Sequence, residues 1–166
     1  MTKSLNFAEK VAKKDNEVKK ESVVIKHIIK KESVNKNTTH FIIRINKDIN
    51  YRLDIIKANY IINTGEQFFI KSYFIRLLEI IVEEFKKGNI AKNKERFYSK
   101  TGSKQEDKYN LFKKSLTIPI SLKAELKKGQ LAIEKEAKRK LCLNTIINYY
   151  LEKDIITMEK EYGFIK

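Results

Sequence analysis

Positive charge is the chemistry this chain carries in quantity: 36 Lys and Arg against 21 Asp and Glu leave a formal net charge of +15. Such an excess attracts polyanions, because each phosphate that a cation neutralises releases condensed counterions. Nucleic acid is the first partner this implies, and an anionic membrane surface the second. The surplus is unevenly placed. Residues 1–38 hold ten Lys against five acids, and residues 86–114 hold ten basic side chains against three. Residues 39–85 balance at six and six, and residues 115–154 carry eight basic against five acidic. Basic arms beside a folded body commonly run along phosphates. The abundance of Asn, Ile and Lys is also what an AT-rich genome produces, so part of the charge has a compositional origin.

Side chains that do covalent or metal chemistry are scarce. His27 and His40 stand alone, with no Cys or acidic cluster at ligand spacing around either. Cys142 is the single cysteine, which excludes an intrachain disulfide and fits a reducing cytoplasm. It has no evident partner for nucleophilic catalysis. No phosphate-binding glycine loop is present among the five glycines. The expectation is therefore a protein with no catalytic residues, no metal and no cofactor, and not an enzyme. No apolar run approaches the ~20 residues a membrane helix requires, so no membrane insertion is expected. Lys3, Lys10, Lys13 and Lys14 are not followed by an apolar core, which argues against a secretory signal.

The elements that would position any interface read as a strand and two helices, written twice. At the first copy Phe41, Ile43 and Ile45 alternate with His40, Ile42 and Arg44, as in a half-buried strand. Asp48 is a plausible N-cap for a helix whose apolar face is Ile49, Leu53, Ile56 and Tyr60. Asn63-Thr64-Gly65 breaks it, and a second helix over 69–86 ends at Gly88. At the second copy Leu116, Ile118 and Ile120 face inward, with Ser115, Thr117 and Pro119 outward. Pro119 suits a two-stranded ribbon if its nitrogen faces away from the partner. Ser121 is the candidate N-cap of a helix carrying Leu122, Leu126, Ile133 and Ala137, with Gly129 as a soft spot. A last helix covers about 143–156, where Tyr149 and Tyr150 read as core and dimer-contact residues. One such unit is too small to enclose a core, whereas two can. The fold class is thus mainly α with a two-stranded antiparallel ribbon. The expected divisions are a basic N-terminal arm over 1–38, a first unit over 39–87, a basic linker over 88–114 (with a short helix around 89–98), a second unit over 115–156 and a tail over 157–166.

This order, with Phe41 to Ile45, then Ile49, Leu53 and Ile56, then Lys71-Ser72-Tyr73-Phe74-Ile75-Arg76, resembles the ribbon–helix–helix family of DNA-binding proteins, the Arc and MetJ class. Ser72 with Ile75-Arg76 looks like the opening of the family's second helix, and Leu143-Asn144-Thr145-Ile146-Ile147 occupies the equivalent place in the second copy. The two modules cover about half the chain. The resemblance implies tandem modules paired into a pseudo-dimer, similar to the TraY-type proteins of conjugative plasmids. It implies double-stranded DNA as partner, with the ribbon in the major groove. The base readers it implies are His40, Ile42, Arg44, Ser115, Thr117 and Pro119. The phosphate contacts are Lys71, Ser72, Asn144 and Thr145, at the starts of the second helices. Because the six readers differ, a quasi-symmetric or direct-repeat site is expected instead of a strict palindrome.

The function this resemblance suggests is transcriptional repression, or a partition, replication or transfer role at a plasmid or phage site, with self-association on adjacent sites. The protein would then be nucleoid- or plasmid-associated. A second reading is an antitoxin that binds DNA and a small protein partner, through a free apolar tail at 14–34 or 155–166. A third is a basic protein-interaction or membrane-surface module.

Overall fold

The computed structural model describes residues 37–99 and 110–162. The fold is mainly helical, with five α-helices and one two-stranded antiparallel sheet among the described residues. In chain order these are β1 (Thr38–Asn46), α1 (Lys47–Thr64), α2 (Ile70–Lys86), the short α3 (Asn89–Lys92), β2 (Leu111–Pro119), α4 (Ile120–Ala137) and α5 (Leu143–Tyr162), with a single 3-10 turn at Lys94–Arg96. Corresponding elements begin at 38 and 111, at 47 and 120, and at 70 and 143, a constant separation of 73 residues. The two halves of the chain therefore repeat the same strand–helix–helix order in register.

Local chemistry fixes these boundaries. Asn46 caps α1, its side-chain oxygen accepting the Asp48 backbone N–H at 3.2 Å. The expected cap at Asp48 is thus two residues late, and Asp48 instead favours the positive end of the helix from the first turn. Gly65 terminates α1 at φ 70°, where its N–H reaches the Ile61 carbonyl at 2.9 Å. Helix α4 begins at Ile120, straight after Pro119, so Ser121 is not its cap. Helix α5 continues to Tyr162, six residues past the expected end, because Ile155 and Met158 are buried in the core. Residues 155–162 are consequently helix and not a free tail. The apolar stretch at 14–34 and most of the basic arm lie outside the described residues.

The strands that pair are far apart in sequence, with α1 and α2 between them. Their register sets Thr38 opposite Pro119, Ile42 opposite Ser115 and Asn46 opposite Leu111. Backbone bonds from Ile120 N to the Asn37 carbonyl and from Lys47 N to the Asn110 carbonyl close the ladder at both ends. Even-numbered β1 residues are therefore in non-hydrogen-bonded pairs, with their N–H and C=O directed away from the partner strand. Pro119, opposite Thr38, is in such a pair, so the missing donor costs the ladder nothing.

The inner face of the ribbon, with Ile43, Ile45, Leu116 and Ile118, is buried against the helices. Helix α1 packs against α5, and α2 against both α4 and α5, so each half completes the core of the other. Arg52 of α1 makes a two-point contact with Glu159 of α5 at 2.8 and 2.7 Å. Inside, the Tyr73 hydroxyl donates to Asp154 at 2.7 Å, and burial pushes the Asp154 carboxyl above its ordinary range while that hydrogen bond opposes the rise. Gly129 is where α4 meets α2: a β-carbon there would stand 2.6 Å from Phe85 Cγ. The soft spot in the helical pattern is thus a close approach of two elements. Both ends of the expected linker also belong to the fold, since Ile90, Phe97 and Tyr98 are buried and residues 111–114 lie in β2. Among the described residues, no helix is long and apolar enough to cross a membrane.

Candidate nucleic-acid interface

Alternation ties the two faces of the ribbon together. With Ile43, Ile45, Leu116 and Ile118 held in the core, the residues between them must point outward, and a one-residue slip would exchange the two sets. His40, Ile42 and Arg44 on β1 accordingly share the outer face with Lys113, Ser115 and Thr117 on β2, in the pairs His40–Thr117, Ile42–Ser115 and Arg44–Lys113. Five of these six are exposed and Thr117 is half-buried. Ile42 is 49% exposed at the centre of the face, a large apolar side chain left in water among polar neighbours.

The expected reader set is brought together, with one shift. Pro119 pairs with Thr38 at the end of the ribbon, and Lys113 takes the sixth position on the central face. Lys113 falls outside the expected set because Lys113-Lys114 reads as the end of a basic linker. The signal that finds it is the continued alternation of Leu111, Lys113, Ser115 and Thr117 outward. Lys114 points the other way. It is half-buried, its ammonium donates to Asn50 at 3.2 Å and sits 5.2 Å from the centre of the Phe74 ring, and burial lowers its pKa.

Arg44 and Lys113 face each other directly, although like charges opposed across a sheet are destabilising. Neither side chain is in an ion pair with an acid of the described residues. Two facing cations with no acidic partner among the described residues are an arrangement that an anionic partner relieves.

Side chains from α5 hold the ribbon's edge. The Arg44 N–H donates to Asn144 Oδ1 at 3.1 Å, and the Asn46 N–H donates to Asn148 Oδ1 at 2.9 Å. The Asn148 amide in turn donates to the Arg44 carbonyl at 2.8 Å. The start of α5, at Asn144, therefore sits at the free edge of β1, and the Asn144 oxygen is engaged with backbone. At the start of α2, Lys71 and Ser72 line a hollow of about 420 Å³ together with Lys57 and Gln67. Helix α2 also packs on β2, with the Phe74 ring near the Lys114 ammonium. Helix N-termini carry unpaired N–H groups and partial positive charge, which suits them to phosphate oxygens. Lys123 adds a cation at the β1 edge, its ammonium donating to the His40 carbonyl at 3.3 Å.

His27 is outside the described residues. Cys142 is half-buried at the α4–α5 turn, its N–H on the Phe97 carbonyl at 2.7 Å. Tyr149 and Tyr150 are half-buried and pack edge to face, and the Tyr150 hydroxyl donates to Glu84 at 3.3 Å. In comparisons with protein-family models, curated proteins and solved structures, none matches this chain.

Proposed function

We propose that this chain is a sequence-specific double-stranded DNA-binding protein, built from two tandem ribbon–helix–helix units that pair within one polypeptide as a pseudo-dimer. The observation that carries this reading is the outer face of β1 and β2: a two-stranded ribbon with a row of donors, acceptors and cations, with the start of α5 at its β1 edge. A major groove about 12 Å wide admits a two-stranded ribbon, and each base pair displays a distinct pattern of donors, acceptors and methyl groups there. Arg44 suits guanine O6 and N7, Ser115 and Thr117 suit several base edges, and Ile42 suits a thymine methyl. The helix starts at Lys71-Ser72 and Asn144-Thr145 would fix the depth and tilt of the ribbon through phosphates.

The biological role this supports is occupation of an operator as a repressor, or marking of a plasmid or phage site. Selection from random duplexes by the full chain, at a stated salt concentration, tests it. One sequence class should be enriched, and Arg44→Ala should relax discrimination at one or two base pairs by about 1–3 kcal/mol. Equal affinity for all duplexes, or an Arg44→Ala variant with unaltered preference, would remove the ribbon as the reading element.

A further inference from the structure

We infer that the ribbon is polarised, so that the chain docks in one orientation on a non-palindromic DNA site whose guanines lie in the half beneath Arg44 and Lys113. This inference rests on the DNA-binding reading above and adds Lys113 to it as a determinant of specificity.

The 73-residue repeat makes Arg44 equivalent to Thr117, Lys113 equivalent to His40, and Lys47 equivalent to Ile120. The register then sorts these six by end. Arg44, Lys113 and Lys47 gather where Asn46 meets Leu111, and Thr117, His40 and Ile120 gather where Thr38 meets Pro119. At each equivalent pair the cation is on the same end. The opposite end carries a hydroxyl, an imidazole and an isoleucine that is 51% exposed. Lys123 stands near that neutral end, but its ammonium is bonded to the His40 carbonyl at the ribbon's edge and not on the outer face.

Chemistry at the two ends must therefore differ. Arg and Lys donors match the two acceptors that guanine shows in the major groove, O6 and N7. A Thr117 hydroxyl or a single His40 N–H cannot span O6 and N7 together as Arg and Lys can, and Ile42 at the centre favours a thymine methyl. A palindrome would set the same base pair beneath non-equivalent side chains, so the best site has unlike halves.

The experiment is duplex selection with the full-length chain, and then affinity measurements on each half-site variant at fixed salt. The selected site should be non-palindromic, with guanine enriched in one half only. Lys113→Ala and Arg44→Ala should each lower discrimination in that half roughly 5- to 100-fold and leave the other half unchanged, whereas Lys113→Arg should retain it. The exchange of Arg44→Thr with Thr117→Arg should move a guanine preference to the other half. A palindromic selected site overturns the inference, and so does a Lys113→Ala variant that weakens all duplexes equally. Absence of any enriched sequence instead overturns the DNA-reading function itself.

Discussion

Arg44 and Lys113 should repel each other measurably in the free protein, and removing either should stabilise it. They form a non-hydrogen-bonded pair, so their α-carbons stand ~4.5 Å apart, which lets charges at the ends of two long side chains keep a separation on the order of 7 Å. Two like unit charges at that separation repel by about 0.6 kcal/mol in water. The Debye length is ~30 Å at 0.01 M salt and ~3 Å at 1 M, so the repulsion is nearly complete at the first and absent at the second. Arg44→Gln and Lys113→Gln should each gain about 0.5 kcal/mol at low salt. The double variant should gain no more than either single, because only one repulsion exists to lose. With a urea slope of ~1–3 kcal/mol per molar, the gain moves the unfolding midpoint by about 0.2–0.5 M, which full-chain urea titrations resolve. General repulsion within a chain of net charge +15 would also fall on losing a cation, but that effect is additive, and so the double-variant cycle separates the two. Additive gains, or a coupling of equal size at 0.01 M and 1 M salt, would refute the pairing. The same two substitutions should weaken duplex binding, the mark of a repulsion retained for an anionic partner.

Gly129→Ala should destabilise the protein even though helix propensity alone would favour Ala by about 1 kcal/mol, because the new methyl collides with Phe85 at the root of its side chain. Overpacking of this kind costs about 1–3 kcal/mol, and a higher thermal midpoint in the variant would contradict the close α2–α4 approach. Asp154 has a folded-state pKa raised above its unfolded value by burial, so its contribution to stability is fully present below about pH 4 and is lost as pH rises through the raised pKa. Asp154→Asn keeps an acceptor for the Tyr73 hydroxyl and should unfold at a higher urea concentration than the parent at pH 7, with the difference shrinking as pH falls towards 4. A pH-independent difference would count against the buried carboxylate. Asn148→Ala strips partners from the Asn46 N–H and the Arg44 carbonyl. It should cost about 0.5–1.5 kcal/mol and speed amide exchange at Asn46, whereas unchanged exchange there would mean the edge is not held by α5.

Periodicity made the repeat legible. Ile49, Leu53, Ile56 and Tyr60 at helical spacing, and Phe41, Ile43 and Ile45 in alternation, required a helix and a half-buried strand wherever the partner elements lay. What periodicity left out was where the second strand begins. Leu111 and Phe112 are exposed at the ribbon's end, and Lys114 occupies an inward position, so the apolar half of the alternation is missing over those residues. The pattern becomes visible only once β1 supplies the register. The same gap hides that Lys113 lies opposite Arg44 while Pro119 lies at the ribbon's end opposite Thr38. The roles of Phe97 and Ile90 are hidden for another reason: they are isolated apolar side chains among lysines, and only the tertiary fold shows that the connector closes over the α4–α5 turn.

Joining two strand–helix–helix halves in one chain lets equivalent positions diverge, and the two edges of the ribbon have done so. On the β1 side the Asn46 N–H points outward and needs an acceptor, which Asn148 supplies. Seventy-three residues away the same position is Pro119, which has no N–H, and the counterpart of Asn148 is the buried Ile75. One edge pairs a donor with an acceptor and the other has a proline without a donor, so neither of these two nitrogens carries an unpaired N–H. Neither member of a pair could change alone without stranding a donor or burying an unpaired amide, each costing about 1–3 kcal/mol. The two halves are thus locked into different chemistries, a divergence that identical subunits of a homodimer cannot reach. It is the same freedom that places Arg44, Lys113 and Lys47 together at one end of the ribbon and, among the described residues, leaves the other end without a cation on its outer face.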